Sequence, residues 1–435
     1  MSFAKPTSLG IIACPGGEAF ADEIVAHLKT IYQRRFEKKA QFISRLYGFD
    51  GEETFRRLNM ADDLMSHRVS AVGSAAAYRF PSFKIPCKYT RFANGEIKTE
   101  LLRSVRGMDL YIVQDVANET PVRMGDDKRA LSVNDHIMTL MTAVDAAHQA
   151  GARRVSLVLP TYPYSRQHKK KGREGLTASM LGRMLENMEV SRIITLDIHS
   201  REIEHTFKSL SLENLHASYQ ILLTASSFLD LVNEDLVVVS PDTGAIDRNK
   251  FYADSLRKPL GLLYKERDYS RTSRNAEDSN ITNARLLGDV EGKTVFMADD
   301  MLGTGGTLIK AMKLIRGMGA KKIICTVSLP LFSGNAQAHF DAAYEEGFFD
   351  YVIGTNAVFL PDSILERPWY RSANVSNLFA RAISRVHHNR SVSPLLDNSK
   401  MIQRMLAKKS RGLQRDLFSD AEPPPPDYEA DSDDE

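Results

Sequence analysis

Val295-Phe-Met-Ala-Asp299-Asp300-Met-Leu-Gly303-Thr304-Gly305-Gly306-Thr307 joins a short apolar run, two adjacent carboxylates and a Gly/Thr loop. A helical pattern follows at once, with Leu308, Ala311, Met312 and Ile315 spaced to fall on one face. Strand, acids, loop and helix in that order predict an α/β unit with a site at its strand end for a molecule that is both phosphate and sugar. The loop offers backbone N–H groups, hydroxyls and the positive end of a helix to an anion. Carboxylates repel phosphate, so Asp299 and Asp300 must serve vicinal ribose hydroxyls or a metal riding on the phosphates. A P-loop is excluded because no Lys stands in the required Gly-Lys-Ser/Thr position. The dinucleotide fingerprint is excluded because Leu308 occupies the place of its third glycine. The bland alternative is a turn whose glycines only relieve sterics, and the acidic pair weighs against it.

Working outward, the pattern recurs. Gly107-Met-Asp-Leu-Tyr-Ile-Val-Gln-Asp115 resembles Gly292-Lys-Thr-Val-Phe-Met-Ala-Asp-Asp300, and Gly151 to Pro160 resembles Gly319 to Pro330. Each pair reads as strand, loop, helix, glycine at the helix end, strand, so two similar α/β domains stand in tandem. Only the second copy keeps the acidic pair with the Gly/Thr loop. Further buried-strand runs at Ile193–Asp197, Leu236–Ser240 and Val352–Gly354 alternate with helical patterns at Ile137–Ala150, Ala178–Met188 and Leu308–Met318. That alternation predicts parallel sheets with helices on both faces. Ligands then sit at the C-terminal strand ends, where Asp197, Ser240 and Asp299 fall. The expected domains span 8–215, with an insertion at about 41–82 carrying helical signals at Glu52–Leu58 and Ala61–Arg68, and 216–397. Residues 398–435 read as a disordered tail, with Pro423–Pro426 and the acidic Asp431–Glu435 unable to build a core.

Composition sets the class. The 435 residues are 43% hydrophobic and 26% charged, which is ordinary for a globular protein. No apolar run approaches a membrane span, and no signal-peptide pattern opens the chain. The three cysteines, Cys14, Cys87 and Cys325, lack metal spacing and read as thiols in a reducing compartment, so the expected location is cytoplasmic. The net charge of +2 hides an acidic tail on a basic body, which suits anionic substrates. Its cations are not interleaved with aromatics, which argues against nucleic acid as a partner.

Other strand ends carry chemistry. Asp197-Ile-His199 offers a carboxylate and an imidazole, a pair suited to hydrated Mg²⁺ held through few protein ligands. Pro163-Tyr-Ser-Arg166-Gln167-His168-Lys169 supplies a guanidinium fork and point charges for phosphate. Ser240-Pro-Asp242-Thr-Gly244-Ala-Ile-Asp247-Arg248 is a turn able to close over phosphate or metal. Thr90-Arg91-Phe92-Ala-Asn94-Gly95-Glu96 suits either a purine or a hairpin with an Asn-Gly turn, the hairpin being favoured. Tyr264 to Asn283 is polar and aperiodic, as lids often are.

Taken together these motifs resemble the ribose-phosphate pyrophosphokinase family, from about Ile11 to Leu396. The markers are Phe92–Glu96, Ser104-Val-Arg-Gly107, Pro163–Gln167, Asp197-Ile-His199, Ser240-Pro-Asp242, the acidic Gly/Thr loop, Phe332-Ser-Gly-Asn-Ala336 and Ser391-Val-Ser-Pro-Leu395. The resemblance implies two tandem phosphoribosyltransferase-like domains. It also implies Mg²⁺-dependent transfer of the diphosphoryl group of ATP to the 1-hydroxyl of ribose 5-phosphate. By carry-over, Asp299 and Asp300 hold the ribose hydroxyls, while Gly303, Thr304, Gly305, Gly306 and Thr307 cradle the 5-phosphate. His199 and Asp242 match metal positions. Arg166 and Gln167 match ATP contacts, and Phe92, Asn94 and Glu96 match an adenine-facing loop lent by a neighbouring subunit. Lys265 and Arg267 match the lid pair that stabilises the transition state. The expected assembly is a homo-oligomer built from dimers, up to a hexamer. Gly303 stands where the family commonly has an acid, and His168 and Lys171 stand in a loop that commonly carries a further one. Two rivals remain at this point: a non-catalytic regulatory relative, and a phosphoribosyltransferase that consumes phosphoribosyl pyrophosphate.

Overall fold

The computed structural model describes residues 8–48, 82–125, 127–170, 172–267 and 281–410, without the side chains of 39, 40, 43, 127, 265–267, 281–284, 409 and 410. The helical signals expected at 52–58 and 61–68, most of the lid stretch, Lys171, the side chains of Lys265 and Arg267, and the acidic end of the tail lie outside these residues.

The first half contains strands β1 (Leu9–Ala13), β2 (Cys87–Arg91), β3 (Ile97–Leu101), β4 (Asp109–Val113), β5 (Val122–Met124), β6 (Asp127–Arg129), β7 (Arg154–Val158), β8 (Arg192–Leu196) and β9 (Ser211–Leu215). Five of them form one sheet in the order β1-β4-β7-β8-β9, parallel throughout. The second half contains β10 (Leu236–Ser240), β11 (Leu260–Arg267), β12 (Ile281–Leu287), β13 (Thr294–Leu302), β14 (Lys322–Pro330), β15 (Tyr351–Thr355) and β16 (Tyr370–Ala373). Its sheet runs β12-β11-β10-β13-β14-β15-β16, parallel except for the antiparallel β11–β12 pair. The run β10-β13-β14-β15-β16 repeats the order of the first sheet, so the duplication read in the sequence is a duplication of topology. The sheet changes between β9 and the helix Ser218–Ala225, which packs against β15 and β16.

The central strands are buried on both faces, which is why they read as unbroken Val, Ile and Leu runs and not as alternating ones. The helix Gly306–Gly317 buries Leu308, Ala311, Met312 and Ile315, the face its spacing predicts. The helix Val133–Gln149 opens with a capping box between Ser132 and Asp135. Among the described residues no helix is long and apolar enough to cross a membrane.

The two halves share an apolar seam. Phe20, Ile24 and Leu28 of the helix Glu18–Tyr47 belong to one buried cluster with Phe379 and Ile383 of the helix Ser376–His387. Phe20 and Phe379 meet edge to face, with ring centroids 5.2 Å apart.

Two boundaries differ from expectation. The chain does not become a tail at 398. Ser399–Ser410 is a helix that buries Ile402, and Asn398 and Gln403 donate to the carbonyls of His216 (2.7 Å) and Ser255 (2.9 Å). Its few apolar residues, Met401, Ile402, Met405 and Leu406, suffice because they reach an existing core. The region expected to be an insertion from about 41 is, up to Tyr47, the end of the helix Glu18–Tyr47.

Candidate active site

The acidic pair lies inside β13, two residues short of its end, and not beyond it. One oxygen of each carboxylate accepts from the next backbone N–H, Asp299 from Asp300 and Asp300 from Met301, both at 2.9 Å. A buried amide fixes the strand just before them. Asn249 donates to the Ala298 carbonyl (2.8 Å) and accepts from the Ala298 N–H (2.9 Å), so β13 is pinned to the helix Ile246–Leu256. Gly305 begins the helix Gly306–Gly317 at φ 76°, and the Phe340 ring fills the space a Cβ would need. The loop is therefore shaped by packing as well as by backbone freedom.

Burial and the charge of Asp300 push the Asp299 carboxyl up. Asp300 moves the other way. Burial raises it too, but the His199 hydrogen bond and the Arg248 charge win and hold it below the usual carboxylate range. One proton-prone and one ionised carboxyl side by side suit a diol, which both donates and accepts.

His199 comes from the other half of the chain. Its Nδ1 lies 2.6 Å from Asp300 Oδ2, joining the loop after β8 to β13. An ionised Asp300 accepts from Nδ1–H, which leaves Nε2 as the ring nitrogen turned away from the carboxylate.

Asp197 departs from the metal role its spacing suggests. Its carboxylate is buried and fully engaged, at 3.1 Å from Arg248 Nη1 and 2.8 Å from His216 Nδ1, while accepting from Ser328 Oγ (2.5 Å) and Ala217 N (3.1 Å). Burial alone raises its pKa, and Arg248, His216 and Ser328 together reverse that, so it is held low. Its backbone lies in the left-handed region at φ 41°, and its side chain is buried while His199, two residues on, is exposed. Asp197 is thus a clasp between the halves. Arg248 and Ser328 were not singled out by their spacing, since both lie far from Asp197 in sequence. The one local signal was Arg248 closing the Ser240–Arg248 turn.

Asp242 closes the turn that leads into the helix Ile246–Leu256. Its Oδ1 accepts from Gly244 N (2.9 Å) and Ala245 N (3.0 Å), and its charge is felt by Asp299. Among the described residues no three His, Cys, Asp or Glu converge as a closed metal cage.

Arg166 and Gln167 are exposed on the loop after β7. Arg166 reaches the second half, and a Cβ at Gly303 would stand 3.4 Å from Arg166 Nη1. The Arg166 guanidinium therefore lies against the Gly/Thr loop at Gly303. Phe92, Asn94 and Glu96 form the exposed tip of the β2–β3 hairpin, the geometry favoured for that motif, with Asn94 Oδ1 accepting from Glu96 N at 3.2 Å. Lys265 and Arg267 lie on β11, paired with Ala284 and Ile281 of β12 across a register shift.

Comparison with known proteins bears on the whole assembly. Residues 71–188 match the family model described as the N-terminal domain of ribose phosphate pyrophosphokinase, and residues 210–358 match the phosphoribosyl transferase domain. Ribose-phosphate pyrophosphokinase A of Dictyostelium discoideum is 30% identical over 311 residues, covering 71% of this chain and 89% of the relative. Ribose-phosphate pyrophosphokinase of Parasynechococcus marenigrum is 33% identical over 313 residues, with 71% and 85% covered. The crystal structure of phosphoribosylpyrophosphate synthetase from Mycobacterium smegmatis superposes with a TM-score of 0.63 at 26% identity, covering 88% of this chain and all of that one.

Proposed function

The chain belongs to the ribose-phosphate pyrophosphokinase family, and from that premise we propose that it moves the diphosphoryl group of ATP onto the 1-hydroxyl of ribose 5-phosphate, giving phosphoribosyl pyrophosphate and AMP. The observation that carries this reading is the 2.6 Å contact between His199 of one half and Asp300 of the other. It makes the acceptor cradle and a group suited to phosphate-bound metal parts of one cluster.

On this reading Asp299 and Asp300 take the ribose hydroxyls. The N–H groups and hydroxyls from Gly303 to Thr307 take the 5-phosphate at the start of the helix Gly306–Gly317. Arg166, beside Gly303, meets the polyphosphate between the two substrates, with Gln167 next to it. Bond formation joins the sugar's 1-oxygen, whose proton passes to solvent, to the β-phosphorus as the bond from that phosphorus to the α,β-bridging oxygen breaks, and AMP leaves with the electron pair. Such in-line displacement needs placement and charge neutralisation more than a covalent nucleophile. Lys265 and Arg267, on the β11–β12 ribbon, supply positive charge as the diphosphoryl group transfers.

Mg²⁺ is the metal whose demands match the donors present, with His199 Nε2 and the Asp242 carboxylate as its protein contacts. When bound it neutralises phosphate charge. The exposed tip at Phe92, Asn94 and Glu96 serves the adenine of a neighbouring subunit, so the working form is a homo-oligomer with ATP sites shared between chains. Three free thiols, two of them buried, support a cytoplasmic setting.

Purified protein given ATP, Mg²⁺ and ribose 5-phosphate should release AMP and phosphoribosyl pyrophosphate in equal amounts. Absence of AMP at saturating substrates, with and without inorganic phosphate, would refute the proposal.

A further inference from the structure

We propose that His168 is a positioning residue, whose ring holds the imidazole of His199 in its working plane. The inference rests on the reading of His199 given above. A hydrogen bond from Nδ1 to Asp300 fixes one atom of the His199 ring and leaves the ring free to pivot about that bond. The His168 ring stands against it edge to face, with centroids 5.4 Å apart and planes at 65°. That contact blocks the pivot and keeps Nε2 aimed away from Asp300.

His168 is itself held. Its Nδ1 lies 3.1 Å from the Ser165 carbonyl, which can only accept, so the proton sits on Nδ1 and the ring orientation is set. The turn that presents it is closed by Gln167 N to Tyr164 O at 2.7 Å, with Tyr164 in the left-handed region at φ 58°. The next residue ties the same loop to the segment following His199, since Lys169 Nζ lies 3.1 Å from Glu202 Oε1. Arg166, two residues earlier, reaches Gly303. One loop therefore sets both the guanidinium at the phosphate cradle and the ring plane of His199. Two surface rings can also touch without consequence, and substitution separates the cases.

His168→Phe keeps a ring and loses both nitrogens. His168→Gln keeps a side-chain donor and loses the ring. The prediction is that Phe retains kcat within about twofold of the unaltered protein. Gln should lower kcat about tenfold, as loss of support behind a metal-associated histidine commonly does, with KM for ATP and ribose 5-phosphate changed less than about twofold. Matched thermal midpoints confirm that both variants are folded. Full activity in Gln overturns the proposal. Equal loss in Phe and Gln also overturns it, because a ring packed on His199 would then not be what holds it. So does a raised KM for ATP at unchanged kcat, which would make His168 a nucleotide contact. An inactive unaltered protein would instead refute the proposed reaction.

Discussion

The ends of β4 and β13 hold equivalent places in two sheets of the same strand order, and their chemistry has diverged completely. β13 carries Asp299 and Asp300, largely buried but not sealed, beside a loop of glycine and threonine. At the end of β4 stand Gln114 and Asp115, both buried. The Gln114 amide donates to the Pro15 carbonyl (3.0 Å) and to His136 Nδ1 (3.0 Å), and His136 Nε2 donates in turn to the Asn118 carbonyl at 2.9 Å. Burial lowers the His136 pKa, so the ring stays neutral in this network. Asp115 accepts from Ala117 N (3.0 Å) and from Phe359 N of the second half (2.8 Å). The same strand end has become a cradle in one copy and a filled joint in the other. What separates them is whether the polar groups are left for a ligand or satisfied by protein.

The largest effect that would break this contrast lies at β13. Asp300→Asn removes the charge that orients His199, and kcat/KM is expected to fall by about 10²–10³. Steady-state kinetics on the folded variant tests this, and a loss below about tenfold would mean the cradle tolerates a neutral joint. Next, Gln114→Asp recreates an acidic pair in the filled copy. It places a second carboxylate where no ligand can enter and should destabilise the fold by roughly 3–5 kcal/mol, read by urea unfolding. A neutral outcome would show the first copy to be an open site after all.

The smallest effect is a pH dependence. Burial pushes Asp115 up to about 7, against the backbone hydrogen bonds that lower it. A carboxyl raised on folding binds more protons folded than unfolded, so its ionisation costs stability as pH rises from the ordinary carboxylate range to about 7. Asp115→Asn removes that cost together with one hydrogen bond, and only the first varies with pH. The variant should gain on the unaltered protein by about 2–3 kcal/mol between pH 5 and pH 8. Parallel stability curves over that range would show that Asp115 does not titrate there.

The cradle was legible in the sequence because it is contiguous. Acids, loop and the Leu308–Ile315 face stand within one stretch, and local spacing is enough to read them. The duplicated topology was legible because each copy repeats the same apolar runs. The clasp at Asp197 was not, because Arg248, His216 and Ser328 reach it from three other elements and nothing near Asp197 announces them. His168 stood inside a quoted motif, yet its ring contact with His199 exists only once two loops have been brought together by folding. The helix Ser399–Ser410 was missed for a related reason. Its own sequence is too polar for a core, and its buried face depends on surfaces built elsewhere.

The crossing of the two halves has one further consequence. Asp197 N bonds to the Leu215 carbonyl as Asn356 N bonds to that of Ala373, so the loops after β8 and β15 start alike. The first sends His199 to Asp300, and the second sends Phe359 N to Asp115. In terms of assembly, the two halves exchange contacts from equivalent loops, the reciprocity that marks an isologous dimer interface, but here within one chain. In a true homodimer every substitution appears twice, so neither copy could lose its cradle while the other kept it. Fusion lifts that constraint, and it also makes the halves unequal partners. Two copies of the second half joined through the same pair of loops would set Asp300 against the loop of Val358 and Phe359, with no imidazole to meet it.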